Sequence, residues 1–114
     1  PKPDTMIFLA KIEGKTIGLC RIVVNDEANL LQAIYVLPEY QGRGVGKALW
    51  NEIRKNFDPK RKTIVNVATY NNKAISFYEK LGFKDTGKRW QDETFKMESG
   101  SRIPEMEMEL SDKI

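Results

Sequence analysis

Apolar and polar positions along the chain fall into a pattern that predicts eight elements. Residues 6–12 form an apolar, β-branched run closed by the turn signal Glu13-Gly14-Lys15. Residues 16–24 form a second run, closed by Asn25-Asp26-Glu27, and residues 30–36 a third, ended by Pro38. Connections this short predict an antiparallel meander. After a glycine cluster, Val45, Leu49, Ile53 and Phe57 recur every four residues with Ala48 beside them, the apolar stripe of a helix. Lys47, Asn51, Glu52, Arg54 and Lys55 lie away from that stripe. The basic run Asp58-Pro59-Lys60-Arg61-Lys62 ends the helix and reads as a solvated loop rather than a nucleic-acid patch.

Residues 63–69 are a further strand, which the preceding helix makes parallel to the third. Asn71-Asn72 offers an N-cap, and Ala74, Ile75, Phe77, Tyr78 and Leu81 fill a second helix. Gly82 with Phe83 gives a Schellman-type stop. A polar stretch containing Trp90, Phe95 and Met97 leads to a last strand. There Met106, Met108 and Leu110 alternate with Glu105, Glu107 and Glu109, so that one face is expected to be wet. The order β-β-β-α-β-α-β-β predicts an α/β (α+β) fold: a mixed, mainly antiparallel twisted sheet with flanking helices.

Length and composition narrow the function classes. The 114 residues suffice for one small domain, 1–114, and 40% hydrophobic with 31% charged residues is a soluble globular balance. No apolar run approaches the ~18 residues of a membrane-spanning helix. No signal peptide is visible, so the expected location is cytoplasmic, with no membrane partner. The chain begins with Pro1 rather than Met, as a piece of a longer protein would. A net charge of +3 suits an anionic ligand and is too small and dispersed to imply nucleic acid.

The chain has no histidine and one cysteine, Cys20. Ser-His and Cys-His nucleophile pairs, His-ligated metals, Cys-cluster zinc and an intrachain disulfide are thereby excluded, and no metal is expected. Proton transfer falls to Tyr, Lys, Asp, Glu, Cys or water. Cys20 sits in the apolar run Ile17-Gly18-Leu19-Cys20-Arg21-Ile22-Val23-Val24 and reads as a packing residue.

The chemistry-bearing segment is Gln41-Gly42-Arg43-Gly44-Val45-Gly46-Lys47, which joins a strand to a helix start. Alternating glycines permit unusual backbone geometry and clear side chains from a ligand's path. Successive amides in such a loop form an anion nest, and the helix start adds unpaired N–H groups and the positive end of its dipole. A phosphate or diphosphate is the natural guest, with Arg43 or Lys47 adding charge. A tight turn without ligand is the competing structural explanation. Two other phosphate loops fail. The P-loop pattern puts Gln41 at its first glycine and Ala48 at the magnesium-binding hydroxyl, and Gly-x-Gly-x-x-Gly fits Gly42 and Gly44 but lands on Lys47.

The run from Ile34 through Tyr35, Val36, Leu37, Pro38, Glu39 and Tyr40 to the glycine cluster, Ala48 and Leu49 resembles the coenzyme-A-binding signature of the GNAT superfamily of N-acetyltransferases. Its Gln/Arg-x-x-Gly-x-Gly/Ala core falls on Gln41, Gly44 and Gly46. A second signature, Asn-x-x-Ala-x-x-Phe-Tyr-x-x-x-Gly-Phe, is matched by Asn71, Ala74, Phe77, Tyr78, Gly82 and Phe83. The resemblance extends over residues 6–110, nearly the whole chain.

The resemblance implies a GNAT-like fold and transfer of an acetyl group from acetyl-CoA (coenzyme A as co-substrate) to a primary amine acceptor by direct attack. It places the diphosphate on the amides of residues 41–47, and the pantetheine arm between strands 30–36 and 63–69, against the backbone of Ile34 and Val36. A backbone N–H near Val36 would polarise the thioester carbonyl. Asn71 and Lys80 become cofactor contacts, although Asn71 also fits a cap and Lys80 an exposed helical lysine. Tyr78 becomes the general acid for the leaving thiolate, although its helical face fits packing as well.

Two features depart from the family pattern. The strand before the glycine turn carries no carboxylate to act as general base, leaving a water chain; Glu27 and Glu39 lie in turns. The strand and helices that usually precede this region and wall the acceptor site are missing. Trp90, Phe95 and Met97 then line what remains of that site or a dimer contact, homodimers being common in the family. The alternative function is a non-catalytic acyl-CoA-binding module.

Overall fold

The computed structural model describes residues 4–96 and 102–111, and the chain divides after Thr63 into two compact units. The first begins with three strands, β1 (Asp4–Ile12), β2 (Lys15–Val24) and β3 (Ala28–Val36), paired antiparallel in sequence order as the short connections predict. Glu13 and Gly14, both at positive φ, make the two-residue turn between β1 and β2. The β2–β3 turn is held by one side chain: Asn25 Oδ1 accepts the N–H groups of Glu27 (2.8 Å) and Ala28 (2.9 Å).

Helix α1 (Val45–Ile53) packs on this meander through Leu49, Trp50 and Ile53. Gly18 makes the close approach possible. A methyl group there would meet Leu49 Cδ1 at 3.2 Å, Val45 Cγ1 at 3.3 Å and the Tyr35 carbonyl oxygen at 3.3 Å. On the other side of the β1–β3 sheet, Ile7, Leu9 and Tyr35 are exposed.

The helical stripe differs from expectation in three positions. Ala48 faces solvent, whereas Trp50 is only 1% exposed and is the largest fully buried side chain among those described. Phe57 lies beyond the helix, because α1 tightens into a 3₁₀ turn at Arg54–Asn56, and it packs on Trp50 with ring centroids 5.9 Å apart.

The run after α1 is also less solvated than its charges suggest. Buried Asn29 donates through Nδ2 to the carbonyls of Asp58 (2.9 Å) and Arg61 (3.4 Å) and to Thr63 Oγ1 (3.2 Å), while its Oδ1 accepts the Asp58 N–H at 3.0 Å. Arg61 bonds to the Asn25 carbonyl and pairs with Asp58 through Nε at 3.2 Å. A run of like charges is locally ambiguous; a buried amide 29 residues earlier decides which backbone groups it ties down.

The second unit contains most of β4 (Lys62–Ala68), then α2 (Asn72–Leu81), β5 (Phe83–Lys96) and β6 (Arg102–Leu110). β6 pairs antiparallel with both β4 and β5. The six strands, antiparallel within each unit, and two helices give the expected α+β class and element order. Strand β5 starts directly at Phe83 and is longer than the polar stretch suggests. Met97 lies outside the described residues, as does the side chain of Phe95.

Met106, Met108 and Leu110 are buried with Val65, Val67 and Phe83, as alternation predicts. The alternate face is not uniformly wet, however. Glu107 is 6% exposed because β5 bulges between Asp85 and Arg89, bringing the Thr86 hydroxyl to 3.0 Å and Lys88 Nζ to 3.6 Å from its carboxylate. The bulge is clasped by a bidentate Asp85–Arg89 pair at 2.6 and 2.9 Å. Hydrogen bonds from Arg89, with the Gly87 N–H adding to them, hold the Asp85 carboxyl down to about 2.

Cys20 is fully buried, and burial pushes its thiol from near 9 up to about 12. The unfolded chain therefore loses this proton first. Its stabilising contribution is intact below pH ~9 and is lost as pH rises towards 12. Urea titrations at stepped pH should show the wild type losing stability faster than Cys20→Ala across that window, with parallel curves below it. Asn29→Ala should lower unfolding free energy by about 2–3 kcal/mol, since it strands a buried N–H and several carbonyls. A shifted urea midpoint at constant m-value is the measurement.

Candidate active site

The end of β3 is turned into α1 by a chain of local bonds. The Leu37 N–H donates to the Ile17 carbonyl (2.9 Å), and Pro38–Tyr40 form one 3₁₀ turn with the Tyr40 N–H on the Leu37 carbonyl (2.9 Å). Gln41 then ties the turn to the strand, its side-chain amide donating to the Val36 carbonyl at 2.9 Å. The Gln41 N–H itself donates to the Pro38 carbonyl at 3.3 Å. An amide nest here thus runs from Gly42 onward, and Gln41 shapes it.

Gly42 and Gly44 have φ of 79° and 84°, a region that residues with a Cβ enter only at a cost. Left-handed Gly44 is the residue from which α1 starts, and the first helical bond runs from the Ala48 N–H to the Gly44 carbonyl at 3.0 Å. Val45, Gly46 and Lys47 therefore have no carbonyl one turn back within the helix to receive their N–H groups. The first turn of α1 carries no acidic residue, and neither Arg43 nor Lys47 pairs with a carboxylate among the described residues. Positive backbone dipoles, two exposed cations and no competing carboxylate make this end of α1 fit a diphosphate. Ile34 and Val36 lie half-buried at the end of β3, opposite Cys20 and Gly18 of β2.

In the second unit, Asn71 caps α2 as expected, its Oδ1 accepting the Ala74 N–H at 3.1 Å. The helix closes on left-handed Gly82, whose N–H donates to the carbonyls of Tyr78 and Glu79. Tyr78 is buried, edge-on to Phe77 (5.7 Å) and Phe83 (5.8 Å). Lys80 is exposed on the last turn, where its charge suits the helix dipole. Asn71 and Lys80 thus stand at opposite ends of α2, about 13 Å apart at helical rise. The structure brings 42–47 together as one turn and leaves Lys80 apart from Asn71.

Lys15 escapes a motif-based search, and Tyr40, although inside the matched run, is given no role by it. Tyr40 carries Arg43 over its ring at 5.6 Å and Lys15, from the start of β2, at 5.8 Å. An aromatic just before a glycine turn was the available signal for the first contact; only the β2–β3 pairing, which sets the start of β2 against the end of β3, brings in the second.

A family model described as an acetyltransferase (GNAT) domain matches residues 3–85. The chain is 34% identical over 82 residues to the peptidyl-lysine N-acetyltransferase YiaC of Escherichia coli K12, covering 72% of this chain and 52% of that protein. Among solved structures, the ribosomal-protein-S18-alanine N-acetyltransferase from Escherichia coli superposes with a TM-score of 0.73 at 26% identity, over 93% of this chain and 68% of that one. The PaiA N-acetyltransferase from Thermoplasma acidophilum in complex with coenzyme A gives 0.67 at 27% identity, over 91% and 60%. These findings place the chain in the acetyltransferases; it belongs to the GNAT family. It spans about half the length of the curated relatives it matches, 42% and 52% for two of them. Among the described residues no helix is long and apolar enough to cross a membrane, and no cluster of His, Cys, Asp or Glu could hold a metal.

Gly44→Ala should cost about 1 kcal/mol of stability through its left-handed φ alone, with open space around the added methyl. The unfolding midpoint of the variant checks this.

Proposed function

We propose that this chain is the acetyl-CoA-dependent part of an N-acetyltransferase acting on a primary amine. The observation that carries the proposal is the turn 42–47, in which left-handed glycines, a helix start and cations without an ion pair among the described residues converge. Membership of the family and the coenzyme A complex of a similar protein support it.

On this reading the amides of Gly42, Arg43, Gly44, Val45, Gly46 and Lys47 hold the diphosphate, with Gln41 fixing the turn. Ile34 and Val36 offer main-chain groups to the pantetheine arm, and Asn71 offers its amide. Lys80, out on the last turn of α2, is the weakest of these assignments. Acetyl-CoA supplies a thioester whose carbonyl carbon takes the neutral amine directly, so that a C–N bond forms, the C–S bond breaks and the thiolate leaves with the electron pair. The protein's main contribution is to hold the two reactants in line, which can supply roughly 7–11 kcal/mol. Tyr78 Oη is assigned the proton for the departing sulfur. The amine's own proton leaves through water, since β3 carries no carboxylate and buried Glu107 is engaged by Thr86 and Lys88. A cytoplasmic location and the absence of a metal belong to the same proposal.

Calorimetry should show binding of acetyl-CoA and none of ATP; failure to bind acetyl-CoA overturns the proposal. A free-thiol assay across polyamines, amino sugars, lysine peptides and aminoglycosides should then show release with at least one class. Binding without release for any amine would leave the non-catalytic acyl-CoA-binding module instead. Tyr78→Phe should lower kcat by about 10²-fold with little change in KM for acetyl-CoA, as expected for loss of a general acid. Equal thiol release across pH in the two proteins would remove Tyr78 from the mechanism.

A further inference from the structure

The side chains of Lys15 and Arg43 both come to the Tyr40 ring, at 5.8 and 5.6 Å. They arrive from different elements: Lys15 from the first position of β2, Arg43 from between the two left-handed glycines. Each cation gains from the ring's negative face. Gathering two like charges beside one ring nevertheless raises their mutual repulsion, which a carboxylate would ordinarily offset. None does so. Glu13 and Glu39, the carboxylates nearest in sequence, form no ion pair with either cation among the described residues, and neither do Asp or Glu from elsewhere. The pair is exposed and adjoins the amide turn.

A diphosphate on the 42–47 amides does not need this second pair, because the helix start and Lys47 already oppose its charge. The co-substrate carries one more anionic group, the phosphate monoester on the 3′ position of its ribose. A monoester brings close to two negative charges near neutrality and three acceptor oxygens, a better match to two cations than either diphosphate phosphorus. We propose that Lys15 and Arg43, mounted on Tyr40, form a subsite for the 3′-phosphate of coenzyme A. Tyr40 is a positioning residue within it, and Lys15 a direct contact. The inference rests on the reading of the glycine turn as the diphosphate seat.

The test compares coenzyme A with 3′-dephospho-coenzyme A by calorimetry at fixed ionic strength. Wild-type protein should bind coenzyme A about tenfold or more tightly than the dephospho form, the scale of one or two charge-assisted hydrogen bonds. Lys15→Ala and Tyr40→Leu should each bring that ratio below about threefold while leaving dephospho-coenzyme A affinity nearly unchanged, and Tyr40→Phe, which keeps the ring, should preserve it. Lys15 is exposed at the start of β2, so its variant stays informative if Tyr40→Leu does not fold. Equal binding of the two ligands by the wild type overturns the subsite and leaves the diphosphate seat standing. A ratio unmoved by Lys15→Ala overturns the assignment of Lys15. Binding of neither ligand overturns the diphosphate seat, and the subsite with it.

Discussion

The first unit is organised around how closely α1 lies on β2. At Gly18 the missing side chain lets Leu49 and Val45 settle directly on the strand, and Val45 is the first residue of the helix. That contact fixes where the helical amides begin, and so where the positive end of the helix points. Leu37, bonded to the Ile17 carbonyl one residue before Gly18, anchors the other end of the turn at the same place. The glycines between have no packing of their own to hold them: nothing lies within 4 Å of a methyl placed on Gly42 or Gly44. Their conformation is set by the two anchored ends, which gives a preorganised turn around open space.

Charge is arranged on different terms in the two units. Near the turn, Lys15, Arg43 and Lys47 pair with no carboxylate among the described residues, and the first helical turn carries no acid. In the second unit, Asp85 is clasped by Arg89, and Glu107 is roofed by Thr86 and Lys88 on the β5 bulge. Paired charges of that kind hold a backbone irregularity in shape; unpaired ones keep their electrostatic potential for a ligand. The same contrast separates Arg61, spent on Asn25 and Asp58, from Arg43, which lies over an aromatic ring.

Much of this was legible in the residues because it is local. The Asn71 cap, the Gly82 stop, the Glu13-Gly14 turn and the glycine-led start of α1 depend on backbone preferences and hydrogen bonds spanning two to four residues. A window of sequence contains all their partners. The element order followed for the same reason, since two- and four-residue periodicities are local properties.

Sequence by itself determined the class of fold, the glycine-led turn into α1 and, through the absence of histidine, which side chains are left to move protons. Tertiary structure decided the rest: that Trp50 rather than Ala48 enters the core, that Phe57 leaves the helix, that Asn29 ties down a basic run, that Glu107 is covered, and that Lys15 joins Arg43 on Tyr40. Apart from Phe57, which meets Trp50 only seven residues earlier, each depends on a partner far away in the chain. Burial and charge pairing are sums over neighbours in space, and a periodicity shows which face of an element is apolar without showing what will be brought against it.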